Sequence, residues 1–420
     1  MIKMKDSGIA WIGDIPSDWN ISPNKRVMQK SKIICDKYNN ENVLSLTMNG
    51  VIVRDLENPT GKMPLTFDGY QYVQAGNFLM CLFDIDVTPR CVGVINNDGV
   101  TSPAYSQFKL LNDNYVRYYY YYYLYLDFTK ELLHLAKNLR HSLTESQLGE
   151  IYVPVPPLKT QHRIVDYLDE KCAKIDSIIE KQQAVIEKLK EYKLSVITEV
   201  VTKGLNPNVE MKDSGVNWIG EIPAHWYVTR IKKCCILKTG TTPSTSNNEW
   251  FNGNVRWYTP GDFNENYVLK KSTRTLSQKA IDDGEAVIAE GETVMIIGIG
   301  GTAGKIGISE GVCSFNQQIT ALTNSTVYPK YLMYWMIANT KFLKETAMFT
   351  TLPILNNQTI GNYLCIIPRD NNEAQRIAEF LDKKCHQIEE SIASKQMIID
   401  KLTEYKKSLI YEVVTGKKEV

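Results

Sequence analysis

A glycine-rich segment near residue 300 contains residue types that could bind a phosphate group. Residues 298–303 fit the loose Gly-x-Gly-x-x-Ala pattern of dinucleotide-binding loops. Such a site also requires a following helix and an acidic residue about 20 residues on, whereas here a strand-like run begins at Lys305 and residue 318 is Gln. A P-loop is excluded because Ile299 and Ile306 occupy positions that need Gly and Ser or Thr. The sequence instead predicts a tight β-turn that brings its backbone and Lys305 near a polyanion.

No group of residues has the spacing of a catalytic or metal centre. The nine cysteines include no Cys-x-x-Cys pair, and the five histidines lack the spacing of zinc ligands. The carboxylates form no nuclease-like Asp…Glu-x-Lys group, and the Asn/Asp-Pro-Pro-aromatic segment of amino-methyltransferases is absent. We therefore predict a non-catalytic chain with reduced thiols, no metal and no cofactor of its own.

The composition is that of an ordinary soluble protein. The 420 residues, 43% of them apolar and 23% charged, allow two or three domains. With a net charge of +1, any DNA-binding charge must be local or be supplied by partner subunits. No apolar run reaches the roughly 20 residues that cross a bilayer, and the N-terminus has no signal-like apolar region. We expect a cytoplasmic protein without membrane contact.

Residues 118–123 are consecutive tyrosines, which could stack on the bases of single-stranded nucleic acid. The second half of the chain favours another interpretation, because Tyr118 aligns with Tyr331 at an offset of 213 positions. There, Pro329 opens a helical pattern at its first turn. We predict a packed amphipathic helix at both places rather than a base-stacking surface.

The tyrosine segment belongs to a duplication that spans the chain. The motif at residues 4–19 returns at 211–226, and the segment 159–202 returns at 373–415. Each half thus contains an opening motif, a globular segment and a long helical pattern. Short β-like runs separated by Gly, Asn, Pro and Asp turns predict small sheets in both globular segments. The predicted strands include residues 43–47, 51–53, 78–83, 294–297 and 305–308.

Both long helical patterns have the apolar spacing of a coiled coil, with alternating gaps of four and three residues. The predicted helix seam consists of Leu168, Ile175, Ile179, Ile186, Leu189 and Val196 in the first copy and Leu381, Ile388, Ile392, Ile399, Leu402 and Leu409 in the second. A helix of roughly 43 residues would extend about 65 Å. The simplest partner for each helix is the other, and the duplication favours antiparallel pairing. A generic dimerisation arm is the alternative.

Several motifs occur in a fixed order, and the first of them opens both halves. They lie at residues 11–19 and 218–226 (Trp-Ile-Gly-x-Ile-Pro-x-x-Trp), 99–105, 239–244 (Thr-Gly-Thr-Thr-Pro-Ser), 255–262, 301–305 and 316–317. In this ordered set the chain resembles the specificity (S) subunit of Type I restriction–modification enzymes, the HsdS family. The resemblance covers nearly the whole chain.

The resemblance implies an α+β fold with two α/β target-recognition domains, each followed by a long spacer helix. The two helices would pair as an antiparallel coiled coil with pseudo-twofold symmetry. The implied domains are residues 1–158 for the first recognition domain, 159–204 for the first helix, 205–368 for the second recognition domain and 369–420 for the second helix.

The resemblance also implies a function without catalysis. The chain would read a bipartite site in double-stranded DNA, asymmetric because the two recognition domains differ in sequence. It would dock two methyltransferase (M) subunits, which hold S-adenosylmethionine and methylate adenine, and restriction (R) subunits that use ATP and Mg. Two readers on one face of a duplex lie about 34 Å apart or a multiple of it, so the helices would set the spacer between half-sites.

Base readout requires loop side chains in the grooves, with phosphate contacts fixing the register. The predicted DNA contacts are Arg54, Lys62, Arg90, Ser102 and Tyr105 in the first domain, and Lys238, Thr241, Thr242, Ser244, Arg256, Arg274 and Lys305 in the second. Three other interpretations stay open here. They are a fused methyltransferase or nuclease, a coiled-coil scaffold without DNA readout, and the recognition subunit of a related Type IIB-like system.

Overall fold

The computed structural model describes residues 3–59, 63–88, 90–112, 114–134, 136, 141–264, 266–345, 348–349 and 353–420. The chain divides into two compact units. Unit 1 combines Met1–Gln183 with Met397–Val420, and unit 2 is Ala184–Gln396. Each long helix therefore contributes part of its length to each unit. The four-part division predicted from the sequence is a different partition and stays a prediction.

Short strands build the globular part of unit 1, as its turn-rich sequence predicts. They are β1 (Met4–Asp6), β2 (Asp14–Pro16), β3 (Asn20–Pro23), β4 (Met28–Ser31), β5 (Ile33–Ile34), β6 (Val43–Thr47), β7 (Gly50–Val53), β8 (Gln71–Val73), β9 (Phe78–Met80), β10 (Val92–Val94), β11 (Gly99–Thr101), β12 (Ser106–Leu110) and β13 (Tyr152–Val155). The helices are α1 (Val116–Thr129), α2 (Glu145–Glu150) and α3 (Leu158–Lys203), with 3-10 turns at Asn24–Arg26 and Glu131–His134.

Unit 2 is built from a similar set of short strands and helices. Its strands are β14 (Met211–Asp213), β15 (Glu221–Pro223), β16 (Tyr227–Arg230), β17 (Ile236–Thr239), β18 (Phe251–Tyr258), β19 (Val268–Leu269), β20 (Arg274–Leu276), β21 (Ile288–Ala289), β22 (Thr293–Ile297), β23 (Ile306–Ser309), β24 (Cys313–Phe315), β25 (Ile319–Thr323), β26 (Met348–Phe349), β27 (Pro353–Ile354) and β28 (Leu364–Ile367). Its helices are α4 (Ile231–Cys234), α5 (Gln278–Asp282), α6 (Pro329–Ala338), α7 (Thr340–Glu345) and α8 (Asn357–Asn362), followed by α9 (Asn371–Val414), with 3-10 turns at Asn248–Trp250 and Pro260–Asp262.

The two units share one sheet topology. A first sheet has the order β10-β9-β12-β4 in unit 1 and β23-β22-β25-β17 in unit 2, where β19 adds an edge strand. A second sheet has the order β8-β11-β6-β7 in unit 1, with β5 added, and β21-β24-β18-β20 in unit 2. The pair β11–β6 is parallel, as is β24–β18 in the matching place. The globular parts are therefore two versions of one fold, although their sequences differ strongly.

The tyrosine run forms α1 and lies in the core of unit 1. Tyr118, Tyr119, Tyr122 and Tyr123 are almost completely buried, which confirms the packed helix. The prediction that the helix is amphipathic is wrong, because buried residues occur on all its sides. The cause is that α1 packs on β10 of the sheet and also contacts α3 through Asp169.

Within unit 1, the first half of α3 pairs with the last part of α9. Leu168 and Cys172 share one hydrophobic core with Leu409 and Val413. The Lys406 ammonium lies 2.6 Å from the Asp176 carboxylate. Towards the start of α3, Lys418 lies over the Tyr167 ring. Residue numbers thus rise along one helix as they fall along the other, so the pairing is antiparallel.

Within unit 2, the second half of α3 pairs with the first half of α9 in the same sense. Lys193 contacts Glu389 at 2.5 Å, while Val201, further along α3, shares a core with Leu381, which lies earlier in α9. All members of the predicted helix seam are buried or half-buried. Burial raises the pKa of both Cys172 and Cys385 to about 11, so these thiols stay protonated and act as small apolar side chains.

Candidate nucleic-acid interface

Each globular part is attached to its helix pair by the same hydrogen bond. In unit 1, the Tyr118 hydroxyl donates to the Val414 carbonyl oxygen at 2.9 Å. In unit 2, the Tyr331 hydroxyl lies 3.1 Å from the Val201 carbonyl oxygen and 2.9 Å from that of Ile366, so its hydrogen can be shared between them. The two pairs match at the offset of 213 positions. Because the last carbonyls of a helix have no partner within it, these tyrosines satisfy groups that would otherwise be orphaned in the core.

The tryptophan that closes each opening motif packs against the equivalent tyrosine of its own unit. Trp19 meets Tyr118 edge to face at 6.5 Å between ring centroids, and Trp226 meets Tyr331 at 6.3 Å. Such edge-to-face pairs are a favoured aromatic geometry. The duplicated motif thus encodes the junction between the globular part and the helices of its own unit.

A charged cluster fixes the opposite side of this junction. In unit 1, Arg117 and the Tyr121 hydroxyl both contact the Asp169 carboxylate, at 2.5 and 2.6 Å. The same arrangement recurs in unit 2, where Lys330 and the hydroxyl of the equivalent tyrosine bind Asp382 at 3.0 and 2.7 Å. Two anchors hold each globular part, so its remaining loops have a defined orientation relative to its own helices.

The strands of the first sheet in unit 2 bring several polar turns to one edge. The strands β17 and β22 end there, while β23 and β25 begin there, since Thr239 pairs with Thr320 and Ile297 with Ile319. We define the turn edge of unit 2 as residues 238–247, 298–305 and 316–318. The sequence prediction of a tight turn before a strand is confirmed at residues 298–305, because β23 follows directly.

Close backbone packing makes this turn edge rigid. A Cβ atom on Gly240 would lie 2.1 Å from the Phe315 carbonyl oxygen, and one on Gly298 would lie 2.8 Å from that of Leu355. Both contacts are too close for any side chain, so glycine is required at these positions. The backbones at Gly240 and Gly298 consequently pack directly against those of residues 315–316 and of Leu355.

Four of the predicted DNA contacts of the second domain lie at the turn edge with their side chains exposed, namely Lys238, Thr242, Ser244 and Lys305. Thr241 is half-buried, and its hydroxyl donates to the Glu285 carbonyl oxygen at 3.0 Å.

The two predicted arginines of the second domain lie on the other sheet. Arg256 donates to the carbonyl oxygens of Lys270, at 3.3 Å, and Glu310. Arg274 lies over the rings of Phe251 and Trp257, at 4.5 and 5.3 Å. Both guanidinium groups therefore have partners within the chain, although Arg274 remains exposed.

Unit 1 brings Ser102 and Tyr105 to the equivalent edge, directly before β12. The amide nitrogen of the buried Gln71 donates to both of their carbonyl oxygens, at 3.0 and 2.6 Å. The Tyr105 ring stacks on the exposed Phe83 at 6.5 Å. Burial raises the pKa of Tyr105, and the nearby charge of Arg54 opposes that shift. Three predicted contacts of the first domain are thus close to one another.

Arg90 begins near the same edge but turns inward. Its side chain is 12% exposed, its Nη1 atom donates to the Tyr120 hydroxyl at 3.3 Å, and its Nε atom lies 4.0 Å from Asp127. The structure thus places most of the Arg90 side chain inside unit 1, and its predicted DNA contact stays a prediction. Lys62, the remaining predicted contact, lies outside the described residues.

Sequence reasoning missed one residue of the turn edge of unit 2, Gln317, and one residue beside it, Asn357. Asn357 bridges two strands, since it donates to the Thr239 hydroxyl at 2.9 Å and accepts from the Thr320 hydroxyl at 2.8 Å. Gln317 accepts a hydrogen bond from the Thr242 hydroxyl. The motif at residues 316–317 was the available signal for Gln317, whereas Asn357 has none because its partners are distant in sequence.

Neither a metal-binding group of His, Cys, Asp and Glu nor a helix able to cross a membrane occurs among the residues that the structure describes.

Comparison with known proteins gives a consistent picture. Residues 90–188 and 223–402 match the family model of the Type I restriction modification DNA specificity domain. The chain is 28% identical over 189 residues to the Type I restriction enzyme MjaIX specificity subunit of Methanocaldococcus jannaschii, covering 42% of this chain and 43% of that protein. It is 24% identical over 286 residues to the MjaVIII specificity subunit of the same organism, covering 64% and 62%. The chain thus spans less than two thirds of these relatives.

Solved structures show the same fold over nearly the whole chain. A protein from a study of complex assembly and conformational transition of the type I R-M system has a TM-score of 0.72 at 12% identity, covering 96% of this chain and 99% of that one. The HsdS subunit from Thermoanaerobacter tengcongensis has a TM-score of 0.50 at 13% identity, covering 96% and 98%. At such identities the likeness concerns the fold, including the paired long helices.

Proposed function

Because the chain belongs to the family of Type I restriction modification DNA specificity domains, we propose that it is the specificity subunit of such a restriction–modification system. It reads a bipartite, asymmetric site in double-stranded DNA, one half-site for each unit. The observation that carries this proposal is the repeated framework with unlike edges. The sheets and anchors recur in both units, whereas the side chains at the exposed edges differ.

The chemistry of the two edges supports an asymmetric target. Unit 1 presents the aromatic pair of Phe83 and Tyr105, and unit 2 presents lysines, hydroxyls and a carboxamide. Apolar groups suit the thymine methyl group, whereas amides and basic side chains suit purine edges. Two identical half-sites would not be expected from surfaces so different. The predicted contacts named above, including Lys62, remain proposals for this readout.

The helices carry a surface suited to partner subunits. In unit 2, Val185 and Tyr192 are exposed and seven residues apart on α3; in unit 1, Ile398 and Tyr405 have the same spacing on α9. These pairs match at the offset of 213 positions. Residues seven apart lie on one face of a helix, and exposed apolar stripes mark interaction surfaces. We infer that these faces dock the two M subunits.

The chain recognises the DNA sequence, and its partner subunits catalyse the reactions. In this proposal the M subunits hold S-adenosylmethionine and methylate adenine, and the R subunits use ATP and Mg to act on DNA. No step of catalysis is assigned to residues of this chain.

Mapping methylated adenines tests the proposal. The chain would be expressed with its M partner in cells that lack other adenine methylation, and the genome would be sequenced for modified bases. We expect one motif with two different half-sites and a fixed spacer. Methylation without a defined motif would overturn the proposal, as would methyl transfer from labelled S-adenosylmethionine by the purified chain alone.

A further inference from the structure

Gln317 lies at the turn edge of unit 2, and its free hydrogen-bonding groups fit a base. Its side chain is exposed, and its Oε1 atom accepts a hydrogen bond from the Thr242 hydroxyl. A carbonyl oxygen has two lone pairs, and the amide nitrogen has two hydrogens. Within the described part of the chain, that single bond is the one the structure shows for this carboxamide. One acceptor site and both donors therefore point to solvent.

The support behind this carboxamide is stiff. The Thr241 backbone N–H donates to the Phe315 carbonyl oxygen at 3.0 Å, and the Asn316 backbone N–H donates to the Tyr258 carbonyl oxygen at 3.0 Å. The Asn316 side chain in turn accepts from the Gln318 amide at 3.1 Å. A side chain held from both its backbone and its carboxamide loses little freedom on binding, which favours affinity.

Lysines lie at the same turn edge as the carboxamide. Lys238 and Lys305 are exposed at the same edge, and the Lys344 side chain lies across Gly304. Ammonium groups bind phosphates as point charges, whereas an amide offers a donor and an acceptor in a fixed pair. Phosphate contacts position a protein on DNA and base contacts specify the sequence. The lysines fit the first role and Gln317 fits the second.

We propose that Gln317, aimed by Thr242, reads an adenine in the half-site of unit 2. Its amide nitrogen donates to adenine N7, and the remaining lone pair of Oε1 accepts from the N6 amino group, the pairing that suits a glutamine in the major groove. This inference rests on the proposed function and adds to it one residue and one base.

The test measures binding of the chain in complex with its M partner to duplexes in which each base pair of the wild-type motif is replaced in turn. For Gln317→Ala, we expect discrimination at one A·T pair of one half-site to fall by roughly 5- to 150-fold. All other positions keep their discrimination. Thr242→Val retains the Gln317 carboxamide but removes the hydrogen bond that orients it. We therefore expect a smaller loss of discrimination at the same A·T base pair.

Gln278→Ala is the matched control, because Gln278 is an exposed glutamine on α5 that bonds to Asp282 at 3.0 Å. It should leave every position unchanged. Unaltered discrimination in Gln317→Ala would overturn the proposal, and so would a loss at a G·C pair. An equal loss on every duplex with a weaker salt dependence would also overturn it, since that indicates a phosphate contact. Failure of the proposed function is separable, because the wild-type complex itself would then show no sequence preference.

Discussion

The edges of the two units differ far more than the frameworks that hold them. Both units order their sheets alike, and both attach the sheet to the helices through a tyrosine hydroxyl and a carboxylate cluster. The residues of the exposed edges differ, however: unit 1 has Phe83 and Tyr105 there, whereas unit 2 has Gln317 and Lys305. Separate sets of residues therefore fix the position of each edge and its chemistry, which allows one to change without the other.

The segments that precede this edge are also stabilised by different means. In unit 1 the buried Asp127 accepts from the Cys91 amide at 2.9 Å and from Lys130 at 3.0 Å, beside Arg90. At the equivalent place unit 2 has Thr340, whose hydroxyl donates to the Met336 carbonyl oxygen of α6 at 3.1 Å. In unit 2 the turn at residues 298–304 is packed closely through its glycines instead. Buried charged groups in unit 1 and close-packed glycines in unit 2 thus stabilise the segments before the two edges.

The largest expected effect concerns the helices that both units share. Insertion of four residues after Gln182 lengthens α3 by about 6 Å. We expect the spacer of the methylated motif to change while both half-sites stay the same, as read by sequencing modified bases. A four-residue insertion after the exposed Asn208, outside the helices, is the control and should leave the motif unchanged. An unaltered spacer in the α3 variant would contradict the proposed role of the helices.

Asp127→Ala should destabilise unit 1 strongly. Removing one partner of a buried ionic group leaves Arg90 and Lys130 without compensation, which typically costs about 3–5 kcal/mol. Thr340→Ala at the equivalent position removes one hydroxyl and should cost about 1 kcal/mol or less. Denaturant unfolding measures both. Equal losses would show that the two units do not differ at this point.

The equivalent ion pairs of the helices should contribute unequally. The Lys193 side chain is 11% exposed, contacts Glu389 and lies 4.7 Å from the Tyr267 ring centroid. Lys406 pairs with Asp176, whose side chain is 56% exposed. We expect Lys193→Met to cost about 1–2 kcal/mol and Lys406→Met less than about 1 kcal/mol. Thermal unfolding at low and high salt would test this, and a reversed order would refute it.

The smallest difference between the two units is expected at their tyrosine anchors. Tyr118→Phe and Tyr331→Phe each remove a hydroxyl that satisfies a helix carbonyl, and a buried hydrogen bond contributes about 1 kcal/mol. The two losses of unfolding free energy should agree within about 0.5 kcal/mol if the anchors are equivalent. A larger difference would mean that the second acceptor in unit 2, the Ile366 carbonyl oxygen 2.9 Å from the Tyr331 hydroxyl, alters the loss of unfolding free energy there.

Features with a local period could be predicted from the sequence. The heptad pattern predicted the long helices at 159–202 and 373–415, and they form at Leu158–Lys203 and Asn371–Val414. The strand at 43–47 is β6 without change. The run at 78–83 is a strand only as far as Met80. In the segment after it, the carbonyl oxygens of Ile85 and Thr88 accept hydrogen bonds from Lys130.

Features that depend on distant partners could not be predicted. The intramolecular partners of Arg90, Asp127 and Tyr120, could not be predicted because they lie far from it in the sequence. The tyrosine helix looked amphipathic because the pattern does not show that a sheet and a helix cover it from two sides. Gln317 acquires a direction through Thr242, 75 positions away. Such roles depend on tertiary packing, which leaves no periodic pattern in a single sequence.

The composition of unit 1 has a consequence for synthesis on the ribosome. Its hydrophobic core includes Leu409, Ile410, Val413 and Val414, which are translated after the whole of Ala184–Gln396. At about 5–20 residues per second, the surface around Tyr118 stays uncovered for roughly 10–40 s, until the part of α9 that packs on it has been synthesised. A stop codon that removes Met397–Val420 would therefore damage the domain at the opposite terminus, while the domain made just before the stop would keep its own helical support.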